Sequence, residues 1–145
     1  MQMLGGMTMI ERVLHTAQKI TNKITVISGF KAETLEAHIN QNLSQITYCR
    51  QEEQLGTAHA VKMGADQIIN NEKVLILYGD VPLIKQDTLE AVTNSGGACL
   101  LTTILDNPTG YGRIVEDEAG HVQEIVEEKM QTRIKKLLRQ FLPVS

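Results

Sequence analysis

Three stretches hold side chains that could do chemistry. In the first, Leu77-Tyr78-Gly79-Asp80 places a carboxylate directly after the aliphatic run Val74 to Leu77. A run that apolar, closed by Gly79, Asp80 and Pro82, reads as a strand covered on both faces, which implies a parallel sheet. Ligands of open α/β sheets bind beyond the carboxyl ends of such strands, and Gly79 would let one approach closely. An Asp that caps its own loop has the same local sequence. In the second stretch, Gln51 to Ala60, a strand end meets a helix start. The amides of Gly56 and Thr57 would point outward there, where acceptors are welcome. An ordinary capped helix start accounts for the same residues. His59 reads as a packing or surface residue, because no second His stands at a spacing suited to a metal or a catalytic dyad. The third stretch, Asn107 to Ile114, is dense in turn residues, and the glycines flanking Tyr111 could lay backbone against a flat or sugar-like ligand. Glu127-Glu128-Lys129, by itself, reads as a solvated strand end.

The elements that must position these residues follow from periodicity. Thr8 to Ile20 carries Met9, Val13, Leu14, Ala17 and Ile20 at helical spacing, with Thr8 as N-cap and Glu11 three residues on. Ile24 to Ile27 is a β-branched strand closed by Ser28-Gly29. A helix over Lys31–Asn42, a strand over Gln45–Cys49 and a helix over Leu55–Asn70 follow, the last weakened by Gly64. After the strand at 73–78 come a helix near Lys85–Asn94 and an aliphatic strand over Ala98–Leu105. Arg113–Glu116 and His121–Val126 read as a hairpin turning at Glu118-Ala119-Gly120. Alternating strands and helices predict an α/β fold with a mostly parallel sheet. The chain is expected to open on a helix, with no strand before it.

Bulk properties narrow the class. The 145 residues suffice for one domain, and 42% hydrophobic with 21% charged residues is a globular balance. Aromatics make up 3% and Trp is absent, so the core must be aliphatic. A net charge of −3 gives no reason to expect nucleic acid or an anionic membrane as partner. Cys49 and Cys99 sit in apolar, strand-like sequence and are expected to be buried free thiols of a cytoplasmic protein. No stretch approaches the length of a membrane span, and the first residues lack the pattern of a signal peptide.

Taken together and in order, Gln51…Gln54-Leu55-Gly56-Thr57-Ala58-His59-Ala60, Leu77-Tyr78-Gly79-Asp80-Val81-Pro82-Leu83, Asn107-Pro108-Thr109-Gly110-Tyr111-Gly112-Arg113-Ile114 and Ile125-Val126-Glu127-Glu128-Lys129 closely resemble one family. It is the uridylyltransferase domain of bacterial N-acetylglucosamine-1-phosphate uridylyltransferase, with a Rossmann-like nucleotidyltransferase fold. The resemblance runs from residue 3 to about 129. It implies uridylyl transfer from UTP to N-acetylglucosamine-1-phosphate, giving UDP-N-acetylglucosamine and pyrophosphate, with Mg²⁺ as cofactor. By the same resemblance Gln51, Gly56 and Thr57 would contact uracil, and Tyr78-Gly79-Asp80 would lie beside ribose and phosphates. Asp80 would be the catalytic Mg²⁺ ligand, and Gly112 and Glu127 would hold the N-acetylglucosamine moiety.

The sequence departs from that family at both ends. The family's first strand and its Gly-rich loop, with an Arg and a Lys for the nucleotide phosphates, have no counterpart ahead of Leu4, an expected shortfall of roughly 25–30 residues, about one βα unit. Residues 1–129 therefore read as a partial nucleotidyltransferase domain that also lacks its C-terminal portion. Residues 130–145 form a divergent basic tail, with Ile134, Leu137, Leu138 and Phe141 on one helical face and neither the family's sugar-contacting Asn nor its second metal-site Asn. Three readings remain open: a nucleotidyltransferase fragment weak or inactive alone, a non-catalytic nucleotide-sugar binding module, and a gene remnant that does not fold. The composition change at Met130 suggests a one-base shift of reading frame. The DNA around codon 130 is expected to encode Asn-Ala-Asn-Pro-Asp-Lys-Lys one frame over; codons that cannot yield that peptide refute the shift.

Overall fold

The computed structural model describes residues 2–68 and 73–126; Glu127 and the basic tail lie outside them. The chain divides after Leu100 into two compact units. In order, the first unit contains β1 (Met3–Leu4), β2 (Met7–Thr8), α1 (Met9–Gln18), β3 (Ile24–Ser28), α2 (Ala32–Asn42), β4 (Ile46–Arg50), α3 (Thr57–Met63), a 3₁₀ turn (Ala65–Gln67) and α4 (Gln86–Thr93). The second contains β5 (Arg113–Glu116) and β6 (Val122–Val126).

The start of α1 is built as its sequence predicts. Thr8 accepts from the Glu11 amide (3.4 Å), while the Thr8 amide and hydroxyl donate to Glu11 Oε2 at 2.7 and 2.6 Å, completing a capping box. His38 of α2 brings Nε2 to 3.2 Å from the same carboxylate oxygen. These partners, the Thr8 hydroxyl first, then its amide and then His38, outweigh burial and lower the Glu11 pKa from 4.5 to about 2. Ahead of α1 the structure corrects the sequence reading: β1 and β2 form a small antiparallel hairpin, so the chain does not open on a helix. Gly5 and Gly6 make this possible, because both adopt positive φ (56° and 82°), as a two-residue hairpin turn requires.

β3, α2 and β4 form a βαβ unit of the Rossmann-like kind. β3 pairs with β4 in parallel from Ile24–Ile46 to Ser28–Arg50. Leu14, Val26, Ile39 and Leu43 make the buried core of this unit, with Ile10, Ile24, Leu35, Ile46 and Tyr48 packed around them. α3 ends at Gly64, short of the helix expected through residue 70, and a 3₁₀ turn takes its place.

The α/β class stands; among the described residues the β3–β4 pair is parallel, and the β1–β2 and β5–β6 ladders are antiparallel. Neither 73–78 nor 98–105 joins a ladder among the described residues. Lys73–Tyr78 is covered on one side only: Leu75 and Leu77 are half-buried, whereas Val74, Ile76 and Tyr78 are exposed. Its near end is anchored by Lys73 Nζ, which donates to the Thr93 and Ser95 carbonyls (2.8 and 3.2 Å) at the end of α4, where a cation is favoured. Residues 98–105 are more open still, Ile104 being 99% exposed. Strand propensity alone supplies no hydrogen-bonded neighbour, and without one these runs stay extended and uncovered. Cys99 is consequently exposed and Cys49 half-buried, so both are free but not the buried thiols expected.

In the second unit β5 and β6 pair antiparallel as predicted, with an irregularity between Val115 and Glu116. Asp117 organises the turn by accepting from the Ala119 and His121 amides and from Gln123 Nε2. Those bonds hold its carboxyl below the usual range, the His121 amide contributing most.

Glu11→Gln is expected to destabilise the folded chain by about 1–3 kcal/mol, the cost of an imperfectly paired buried group. The pH dependence follows from the lowered pKa. As pH falls, the unfolded chain takes up this proton first, so the Glu11 contribution is complete above about pH 4.5 and lost towards pH 2. Urea melts of both proteins at pH 7 and pH 3 check this: the gap between them should narrow at the lower pH.

Candidate functional site

The carboxyl end of the β3–β4 pair is fixed by a polar clamp. Ser28 donates to Glu36 Oε1 at 2.6 Å, and Arg50 grips both oxygens of Glu36 at 3.1 and 3.0 Å. The Arg50 guanidinium, then the Ser28 hydroxyl, hold the Glu36 carboxyl below its ordinary pKa, and Glu36 raises that of Arg50 in return. The ladder runs one bond further, Gln51 N donating to Ser28 O at 2.7 Å. Gln51 therefore leaves the sheet at a fixed point.

Its side chain is held as tightly as its backbone. Gln51 Nε2 lies 3.2 Å from the Gly56 carbonyl and 2.9 Å from His59 Nδ1. Gly56 carries φ 97° and ψ −179°, a conformation essentially confined to glycine, and this brings its carbonyl round to Gln51. α3 begins at the next residue, Thr57, with no side chain capping its first turn.

A groove of about 1390 Å³ in the first unit is lined by Gln51, Gln54, Gly56 and Thr57 together with Tyr78 and Gly79. Five residues expected at the site thus share one cavity: Gln51, Gly56, Thr57, Tyr78 and Gly79. Aliphatic side chains of α1, β3 and 74–77 line it as well, together with polar ones such as Asn22, Lys23, Gln45 and Thr47. Gly79 packs close to α1: a Cβ there would come within 2.9 Å of Ile10 Cδ1, which would have to turn aside. Asp80 follows in the turn closed by Val81 N donating to Tyr78 O (3.3 Å), and its side chain is exposed. Among the described residues no group of three or more His, Cys, Asp or Glu is assembled for a metal.

Gly112 belongs to the second unit, half-buried at the end of a loop that supports itself. Asn107 Oδ1 accepts from the Thr109 amide and hydroxyl (3.2 and 2.7 Å), and Arg113 donates to the Pro108 and Tyr111 carbonyls. Glu127 lies outside the described residues. His59, expected from the sequence to be a packing or surface residue, is half-buried and bonded to Gln51, eight positions away. No periodicity marks that pairing, because a loop separates the two.

The groove runs the length of β3, from Asn22 to Gly29, and reaches Gln51, Gly56 and Thr57 beyond the carboxyl end of the β3–β4 pair. Sequence comparison gives the chain a class. Residues 1–134 match the nucleotidyl transferase family, and the chain belongs to it. Its relatives include the bifunctional protein GlmU of Dichelobacter nodosus (strain VCS1703A), 38% identical over 146 residues, which cover 97% of this chain and 31% of that protein. The protein of the same name from Francisella philomiragia subsp. philomiragia is 45% identical over 132 residues, 89% of this chain and 29% of that one. That from Psychrobacter cryohalolentis is 40% identical over 134 residues, again 89% and 29%. The resemblance read from the four motifs holds at this level, and the chain spans about three-tenths of the length of these relatives.

Gly56→Ala is expected to cost about 1–3 kcal/mol although nothing lies within 4 Å of the added Cβ, because the cost is that of the backbone conformation alone. Denaturant titration measures it, and loss of the Gln51 side-chain amide shift in NMR spectra should accompany it.

Proposed function

We propose that the first unit binds a uridine nucleotide in this groove and that the chain derives from an enzyme transferring uridylyl from UTP to N-acetylglucosamine-1-phosphate. The observation that carries the reading is the shared cavity of Gln51, Gly56 and Thr57 with Tyr78 and Gly79. A side-chain amide and free backbone N–H groups suit the edge of a pyrimidine, while Tyr78 offers a face for a ribose. In the reaction an oxygen of the sugar phosphate attacks the α-phosphate of UTP and pyrophosphate leaves. For phosphoryl chemistry of this type, positioning and charge neutralisation are the protein's main contributions. Gly112, and Glu127 beyond the described residues, are proposed for the sugar.

Mg²⁺ fits the donor present, since it is commonly held by one or two carboxylates together with substrate phosphates and water. Asp80 would hold it, and the ion would neutralise phosphate charge in transfer. Because a single carboxylate stands at this position and no cluster of three or more metal-ligating side chains is assembled among the described residues, the chain alone is proposed to bind far better than it turns over. That makes a nucleotide-binding module the second reading.

Equilibrium dialysis should detect UTP binding that Mg²⁺ strengthens in the natural chain but not in Asp80→Asn. Gln51→Ala should weaken it about tenfold. A coupled pyrophosphate-release assay with UTP, N-acetylglucosamine-1-phosphate and Mg²⁺ should show little turnover; a rate near that of a complete nucleotidyl transferase domain refutes the proposed inactivity.

A further inference from the structure

We propose that His59 is a positioning residue for base selection: by occupying one amide hydrogen of Gln51, it leaves that side chain only an acceptor to present to the groove. The geometry fixes the orientation. The Gly56 carbonyl is an acceptor only, so the Gln51 atom 3.2 Å away must be the nitrogen. That amide group has two hydrogens. One goes to Gly56 O, and the other faces His59 Nδ1 at 2.9 Å. Nδ1 must then be the unprotonated ring nitrogen, with the proton on Nε2. His59 is half-buried just inside α3, where its backbone is held in the helix, so the ring is well placed to keep this contact. Among the described residues no hydrogen bond reaches Gln51 Oε1, which is the atom left for a ligand.

The consequence rests on the uridine-nucleotide reading above. An acceptor-only Gln51 demands a donor on the base edge. Uracil supplies one at N3–H, whereas cytosine N3 carries a lone pair that would meet Oε1 lone pair to lone pair, its own donor standing one position away at the N4 amine. Without the His59 acceptor, the second amide hydrogen would be free to turn to cytosine N3, and discrimination would fall. His59 therefore acts through Gln51 and touches neither base nor phosphate.

Two measurements test this on the 145-residue chain. Nitrogen-15 NMR of the free protein should show the Nε2–H tautomer of His59, together with a displaced Gln51 side-chain amide that returns to the ordinary position in His59→Leu. A tautomer protonated at Nδ1, or an unchanged Gln51 amide in the variant, overturns the inference whatever the nucleotide does. Equilibrium dialysis should then give a preference for UTP over CTP that drops about tenfold in His59→Leu. His59→Asn, whose side-chain oxygen can replace Nδ1, should restore most of it. Preference kept in His59→Leu overturns the inference. If the natural chain binds neither nucleotide, the proposed function fails, and the His59–Gln51 contact is judged on the NMR result alone.

Discussion

The parallel ladder between β3 and β4 is the constraint on which the rest of the first unit depends. It fixes the register from Ile24–Ile46 to Ser28–Arg50, and α2 covers it through Ile39 and Leu43. A one-residue slip would turn every inward side chain outward, so the buried core and the register enforce each other. The Ser28–Glu36–Arg50 clamp then locks the carboxyl end, where the strand pair would otherwise fray. Gln51 is the first residue beyond that clamp. Its position in the groove is a consequence of strand pairing nearly thirty residues upstream in sequence.

The same requirement for pairing explains where the fold stops. Lys73–Tyr78 has strand composition throughout, yet among the described residues it is held by Lys73 at the end of α4 and by packing of one side. Burying the remaining apolar side chains would be favourable at roughly 25 cal/mol per Å². That gain needs a neighbouring strand to satisfy the backbone, and none is present among the described residues. Asp80 hangs on the end of this segment, exposed in its turn. The site is therefore built from two kinds of support: a hydrogen-bonded side carrying Gln51, Gly56 and His59, and a less supported side carrying Tyr78, Gly79 and Asp80.

Helices and hairpins were legible in the sequence because their causes are local. Thr8 and Glu11 announce the start of α1 within one turn, and Glu118-Ala119-Gly120 announces the β5–β6 reversal. Gly5-Gly6 carried an equally local hairpin signal that was overlooked, the flanking strands being two residues each. Strands at 73–78 and 98–105 misled because β structure needs a partner that composition cannot supply. The site motifs were legible as a set, and the fold gathers five of their residues on one groove. The role of His59 was not, since it arises from a turn that folds Gly56 and α3 back onto Gln51.

The sequence by itself determined the family, the α/β class and the capped start of α1. These follow from motif order and from interactions spanning three or four positions. Only the tertiary structure decided which strands are paired, which faces of the apolar runs are covered, and how the Gln51 amide is oriented. Each of those depends on a backbone or side-chain partner distant in sequence or brought round by a loop, and hydrogen bonds are directional: a donor's partner is known only when the chain has placed an acceptor in front of it.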